Sequence, residues 1–166
     1  MASMAEQLLD SVRGASLSIV VAESLTGGML ASDLASISGA SDVFLGGVVA
    51  YSNAVKQNLL GVSPHTLETI GAVSEDVALQ MAQGAQERFA TACGLSRDRV
   101  VSVATTGVAG PADSEGKTVG TVFIAALIAE RSLVRGFHLD GDRQRIREAT
   151  CREAFALVAE LLASKD

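Results

Sequence analysis

The chain has 166 residues, 48% of them hydrophobic, and a formal net charge of −6. One compact domain with a sizeable core is the expectation from that length and composition, and the acidic balance argues against general nucleic-acid binding, which needs a basic surface. Every long apolar segment is broken by glycine or charge before the roughly 18–20 residues of a membrane span, and Met1-Ala2-Ser3-Met4 lacks the charged and apolar regions of a secretion signal. A cytoplasmic protein with no membrane partner is therefore expected.

Residues 4–13 carry Leu8, Leu9 and Val12 at helical spacing, which predicts a first helix. Residues 17–21 are a continuous apolar run of the kind that fits a strand buried on both faces. The stretch Ala22-Glu23-Ser24-Leu25-Thr26-Gly27-Gly28 follows and leads into a helical pattern over 29–37, so it reads as strand, tight turn and helix. Unpaired N–H groups at a helix start favour an anion, and adjacent glycines let a ligand approach the main chain. The turn is thus suited to a phosphate or a developing oxyanion. The plainer reading makes Ser24 or Thr26 a helix N-cap.

Residues 45–50 predict a second buried strand that ends at Tyr51-Ser52-Asn53, and 54–60 a short helix carrying Lys56. Ser63-Pro64 opens another short helix over 65–70, with His65 exposed. Ser74 caps a long helix to about residue 93, whose buried stripe is Val77, Met81, Ala85 and Phe89. Residues 100–104 are a third strand, followed by Thr105-Thr106-Gly107 and a polar loop over 108–118. Residues 119–129 and 132–139 form a hairpin turning at Glu130-Arg131. Residues 141–163 are the last helix, with Ile146, Thr150, Ala154, Leu157, Val158 and Leu161 on one face. Cys93 and Cys151 form no CxxC pair and are expected as buried free thiols. His65 and His138 cluster neither with each other nor with a cysteine, so no metal site is expected.

Alternating strands and helices early in the chain imply a parallel sheet with helices on both faces. If the first three strands are parallel, Ser24, Tyr51 and Thr106 leave one edge of the sheet together. The hairpin then returns the chain to that edge at Gly141-Asp142-Arg143. Ligands of open α/β sheets bind outside the carboxyl ends of the strands, so these stretches converge on one cleft. Arg143 and Arg147 stand at i and i+4 on the last helix, where cations oppose the dipole; they read either as an anion clamp or as solvated charges. AESLT is not G-x-S-x-G and no Ser-His-Asp set is evident. A serine–lysine pair, Ser24 with Lys56, is the remaining way to activate a hydroxyl, with Lys56 lowered in pKa by burial and by nearby arginines.

The motifs AESLTGG, VVAYSNAVKQNLLGV, GAVSE, TTGVAGP, KTVGTV and GDRQRIRE, in this order and spacing, resemble the CinA C-terminal domain family, which includes nicotinamide-nucleotide amidohydrolases. The resemblance runs over roughly residues 16–162. It implies a three-layer α/β/α sandwich with a mostly parallel, mixed sheet of about five strands. It also implies hydrolysis of the carboxamide of nicotinamide mononucleotide to nicotinate mononucleotide and ammonia, with no cofactor and no metal. By resemblance Ser24 is the nucleophile, Lys56 the base, and Tyr51 a further catalytic residue. Thr26, Gly27, Gly28, Asn53, Thr106 and Gly107 line the pocket, and Arg143 with Arg147 holds the phosphate.

This chain departs from the family pattern at three places. Leu25 stands where cysteine is usual, Thr106 where serine is frequent, and the loop after Gly110-Pro111 reads ADSEGKTV in place of a more glycine-rich Lys-Pro-Val version. The last departure bears on substrate preference. Many members carry a further N-terminal domain for which this chain is too short, so a stand-alone form and a homo-oligomer are expected, with a small nucleotide as its ligand. The alternatives are a nucleotide-binding regulatory module without turnover and an oligomeric scaffold. The Ser24–Lys56 pair, which binding alone does not need, favours the enzyme.

Overall fold

The computed structural model describes residues 2–164. The apolar runs become five strands, β1 (Ser18–Glu23), β2 (Phe44–Val49), β3 (Val100–Gly107), β4 (Thr121–Ile128) and β5 (Arg131–His138). The helices are α1 (Met4–Gly14), α2 (Met29–Ala35), α3 (Asn53–Leu60), α4 (Pro64–Thr69), α5 (Glu75–Cys93) and α6 (Arg143–Ala163). One mixed sheet of order β2-β1-β3-β4-β5 runs through the middle. β1 is parallel to both β2 and β3, while β4 is antiparallel to β3 and to β5.

Successive strand residues point to opposite faces, so the sheet feeds two cores. Ile19, Val21, Val101, Val103 and Ile124 pack with α1, α2 and α6. Val20, Ala22, Ala104 and Ala125 pack with α3 and α5. This is the expected α/β fold with helices on both faces.

Register puts the site on one edge. Glu23 pairs with Val49 on one side and Thr105 on the other, so Ser24 and Ala50 leave the sheet at the level of Thr106. Gly107 pairs with Val122, which pairs with Phe137, and the end of β5 therefore delivers α6 to the same edge.

β2 is half-buried to exposed rather than buried as expected, because it is an edge strand, and several boundaries differ from the sequence expectation. β3 continues through Thr106 and Gly107, because β4 pairs with both. The hairpin turns at Ala129-Glu130, one residue early, with Ala129 at φ 50°. Short 3-10 turns at Ala40–Asp42 and Arg97–Arg99 carry no periodic signal. Cys151 is buried as expected, but Cys93 is exposed. It is the last residue of α5, beyond a buried stripe that ends at Ala90.

Neither Ser24 nor Thr26 caps α2. Its N-cap is Gly28, at φ 95°, and the cap is supplied by Glu23 from the end of β1. One carboxylate oxygen accepts the N–H groups of Gly28 and Leu30, both at 3.0 Å, and the other that of Ala31 at 2.9 Å. Glu23 is 0% exposed. A buried carboxylate is tolerable only when fully hydrogen-bonded, and the helix dipole adds to its stabilisation. The anion position that the sequence offered to a ligand is thus filled by the protein itself.

On the other face, α3 ends against α5 at Gly84, where a Cβ would overlap the Leu60 carbonyl oxygen. Two stability tests follow. Glu23→Ala strands three N–H groups in the interior and should lower the unfolding free energy in urea by roughly 3 kcal/mol or more. Gly84→Ala, which stabilises an open helix by about 1 kcal/mol, should here cost about 2 kcal/mol through overpacking and lower Tm by roughly 4–8 °C in a thermal melt.

Candidate active site

A cleft of about 290 Å³ opens at the carboxyl edge of the sheet. Of the residues singled out in the sequence, Ser24, Tyr51, Asn53, Lys56, Thr106, Gly107 and Arg143 line it. Ser24 leaves β1 with its N–H on the Thr105 carbonyl at 3.0 Å. Ser52 caps α3 through the Val55 N–H, which places Lys56 in the first turn of that helix. The Lys56 ammonium lies 3.1 Å from Ser24 Oγ and 3.4 Å from the Tyr51 carbonyl oxygen. Lys56 is 2% exposed.

Burial lowers the Lys56 pKa, and the nearby Glu115 carboxylate opposes that by raising it. The expected arginines are not among the causes; neither guanidinium bonds to the lysine. A lysine in this setting loses its proton more readily than one in water, and its neutral form can accept the proton of the serine it touches.

Arg143 starts α6 and spans the mouth of the cleft. It donates to the Tyr51 hydroxyl at 2.7 Å and to the Gly110 carbonyl at 2.6 Å. Tyr51 is 59% exposed, so this corner meets solvent. Thr106 is buried and donates its hydroxyl to the Ala72 carbonyl at 2.7 Å, joining β3 to the turn before α5. Asn53 is exposed at the start of α3.

Thr26, Gly27, Gly28 and Arg147 do not line the cleft. They form the back of the turn. Thr26 and Thr105 share a hydroxyl–hydroxyl hydrogen bond of 2.8 Å. Arg147 gives Nε to the Leu25 carbonyl at 3.0 Å and Nη2 to the Thr26 carbonyl at 2.8 Å. The two arginines expected to act together therefore occupy different places, one at the cleft and one behind the serine turn.

Two participants escape a reading of the sequence. Glu23 has a signal there, a charged residue closing an apolar strand. Glu115 has none, since the 108–118 loop has no periodicity; it lines the cleft and accepts the Ala72 N–H at 2.8 Å. Cys151, on the buried face of α6, has its pKa pushed up to about 12 by burial and then by Asp33 and Glu23. It remains a thiol and is no rival nucleophile. Among the described residues no group of three or more His, Cys, Asp or Glu is placed to hold a metal ion, and no helix is long and apolar enough to cross a membrane.

Known proteins resemble this chain in sequence and in fold. The CinA C-terminal domain family matches residues 1–162. A CinA-like protein of Fervidobacterium nodosum is 45% identical over 138 residues, 82% of this chain and 32% of that protein. A CinA-like protein of Frankia casuarinae is 43% identical over 148 residues, 89% of this chain and 32% of that protein. The chain spans about a third of the length of the curated relatives it matches. Among solved structures, a competence/damage inducible protein from Agrobacterium tumefaciens superposes with a TM-score of 0.85 at 37% identity, covering 95% of this chain and 93% of that one. A CinA superfamily protein from Escherichia coli gives 0.87 at 34% identity, covering 95% and 88%. A family match over nearly the whole sequence, with the same fold at these identities, places the chain in the CinA C-terminal domain family.

Proposed function

We propose that the chain is an amidohydrolase that cleaves the carboxamide of nicotinamide mononucleotide, giving nicotinate mononucleotide and ammonia. The observation that carries this reading is Lys56, buried and 3.1 Å from Ser24 Oγ at the carboxyl edge of the sheet. A module that only held a nucleotide would use Arg143 but would gain nothing from burying a lysine against a serine, because burial of an ammonium is costly.

In this mechanism Ser24 Oγ attacks the carboxamide carbon as its proton passes to Lys56 Nζ. The N–H group of Leu25, which lines the cleft beside Ser24, has no acceptor among the described residues and is the donor we assign to the oxyanion. Arg147 braces the turn from behind by holding the carbonyls of Leu25 and Thr26. The C–N bond then breaks as Lys56 returns its proton to the leaving nitrogen, releasing ammonia. Water attacks the acyl-serine, again losing a proton to Lys56; the C–Oγ bond then breaks as Lys56 returns that proton to Ser24 Oγ, and the acid product leaves, giving up its proton to solvent. Arg143 holds the phosphate with N–H groups not used by Tyr51 and Gly110, and Tyr51 positions it.

Ammonia release tests the pair. Ser24→Ala and Lys56→Ala should each remove most of kcat, the double variant should be little worse than either, and Lys56→Arg should match Lys56→Ala because arginine is no base. A Lys56→Arg enzyme with near-normal kcat would overturn the assignment. For the unmodified chain, kcat/KM should rise with pH and level off below a lysine's ordinary 10.5, since the neutral amine is the active form and its pKa is lowered.

The arginines should separate kinetically. Arg143→Ala should raise KM about 10- to 150-fold, the worth of a lost charge-assisted contact of about 1.5–3 kcal/mol, with kcat largely kept. Arg147→Ala should instead lower kcat at nearly constant KM, because it loosens the serine turn.

A further inference from the structure

Glu115 is the one carboxylate among the described residues lining the cleft, whose other charged side chains are Lys56 and Arg143. It stands at φ 52°, a left-handed conformation that residues with a Cβ rarely adopt. Its Oε2 accepts the Ala72 N–H at 2.8 Å and so ties the loop between β3 and β4 to the turn before α5. Gly71 admits it: a Cβ there would stand 2.7 Å from Oε2. Among the described residues Oε1 has no hydrogen-bond partner.

The tie itself needs no charge. A glutamine would offer the Ala72 N–H the same acceptor. Toward Lys56 the charge is a disadvantage, because it favours the ammonium over the free amine that a base requires. A carboxylate beside the base has a use when the incoming ligand brings a positive charge of its own.

Resting on the amidohydrolase reading above, we propose that Glu115 is a specificity-determining residue that selects a ligand whose carboxamide-bearing ring is a cation, such as a quaternary pyridinium, over one with a neutral ring. The phosphate end of that ligand meets Arg143. The ring end brings its carboxamide to Ser24 and its charge to Glu115, whose free Oε1 faces no competing partner. Glu115 is exposed, so the preference lies between that of a surface ion pair and that of a desolvated one, about 5- to 20-fold in affinity.

Two ligands separate charge from shape: nicotinamide mononucleotide, and benzamide riboside 5′-phosphate, in which carbon replaces the ring nitrogen and the ring is neutral. Their affinities are measured by calorimetry on the full chain carrying Ser24→Ala, with and without Glu115→Gln. With Glu115 present, the cationic ligand should bind about 5- to 20-fold more tightly. Glu115→Gln should abolish that preference and change the affinity of the neutral ligand by less than about twofold, since the glutamine keeps its hydrogen bond to Ala72. Equal affinities with Glu115 present would overturn the inference, and so would an equal loss for both ligands on Glu115→Gln, which would make the residue a loop tie alone. Ammonia release from the unmodified chain is scored separately. Its absence would sink the amidohydrolase reading while the ring preference stayed measurable, and failure of both ligands to bind would overturn both.

Discussion

The turn that carries Ser24 depends on the burial of Glu23. A carboxylate shut away from water must have its charge met, and here three N–H groups at the start of α2 meet it. That commits the helix start to an internal anion and locks the angle between β1 and α2. Strand alternation does the rest. Glu23 shares a face with Ile19 and Val21, toward α2, whereas Ser24 continues the face of Val20 and Ala22, toward α3. The same two adjacent residues thereby serve opposite layers, one holding the turn and the other meeting Lys56.

Lys56 stands between opposing influences. The low-polarity surroundings of α3 push it toward the neutral amine, and Glu115 pulls it back toward the ammonium. Because the lysine is almost fully buried, the burial effect is intrinsic to the fold. The Glu115 effect comes from a surface loop and depends on what else occupies the cleft. The Ser24–Lys56 contact thus sits on rigid elements, the end of β1 and the first turn of α3, and the Glu115 charge on the segment between β3 and β4.

Arg143 and Arg147 show how position along a helix divides labour. They lie one turn apart on α6, separated by about 5–6 Å. The first guanidinium reaches across the cleft mouth to Tyr51 and Gly110, and the second reaches the carbonyls of Leu25 and Thr26. The start of α6 is thus clamped to the segment that follows β2, to the 108–118 loop and to the serine turn at once. The cost of placing cations at a helix N-terminus is offset by these bonds and by the cap that Asp142 gives the Arg145 N–H.

Much of this protein is legible in the order of its residues. Apolar runs without alternation mark the strands, period-3.6 stripes mark the helices, and, if the first three strands are parallel, the order of elements brings Ser24, Tyr51, Thr106 and Arg143 to one edge of the sheet. The pairing of Ser24 with Lys56 is suggested by the absence of any other base. The strand and helix readings succeed because periodicity and turn chemistry are local properties, encoded within a few residues of where they act. Tertiary structure alone decides which donor caps α2, which arginine faces the cleft, that Glu115 stands beside the lysine, and that Cys93 lies in solvent. Each of those outcomes depends on which side chain arrives when separate elements pack, across 92 residues between Tyr51 and Arg143 and 43 between Ala72 and Glu115. No local pattern records that meeting, because the free energy that selects it exists only once both partners are in place.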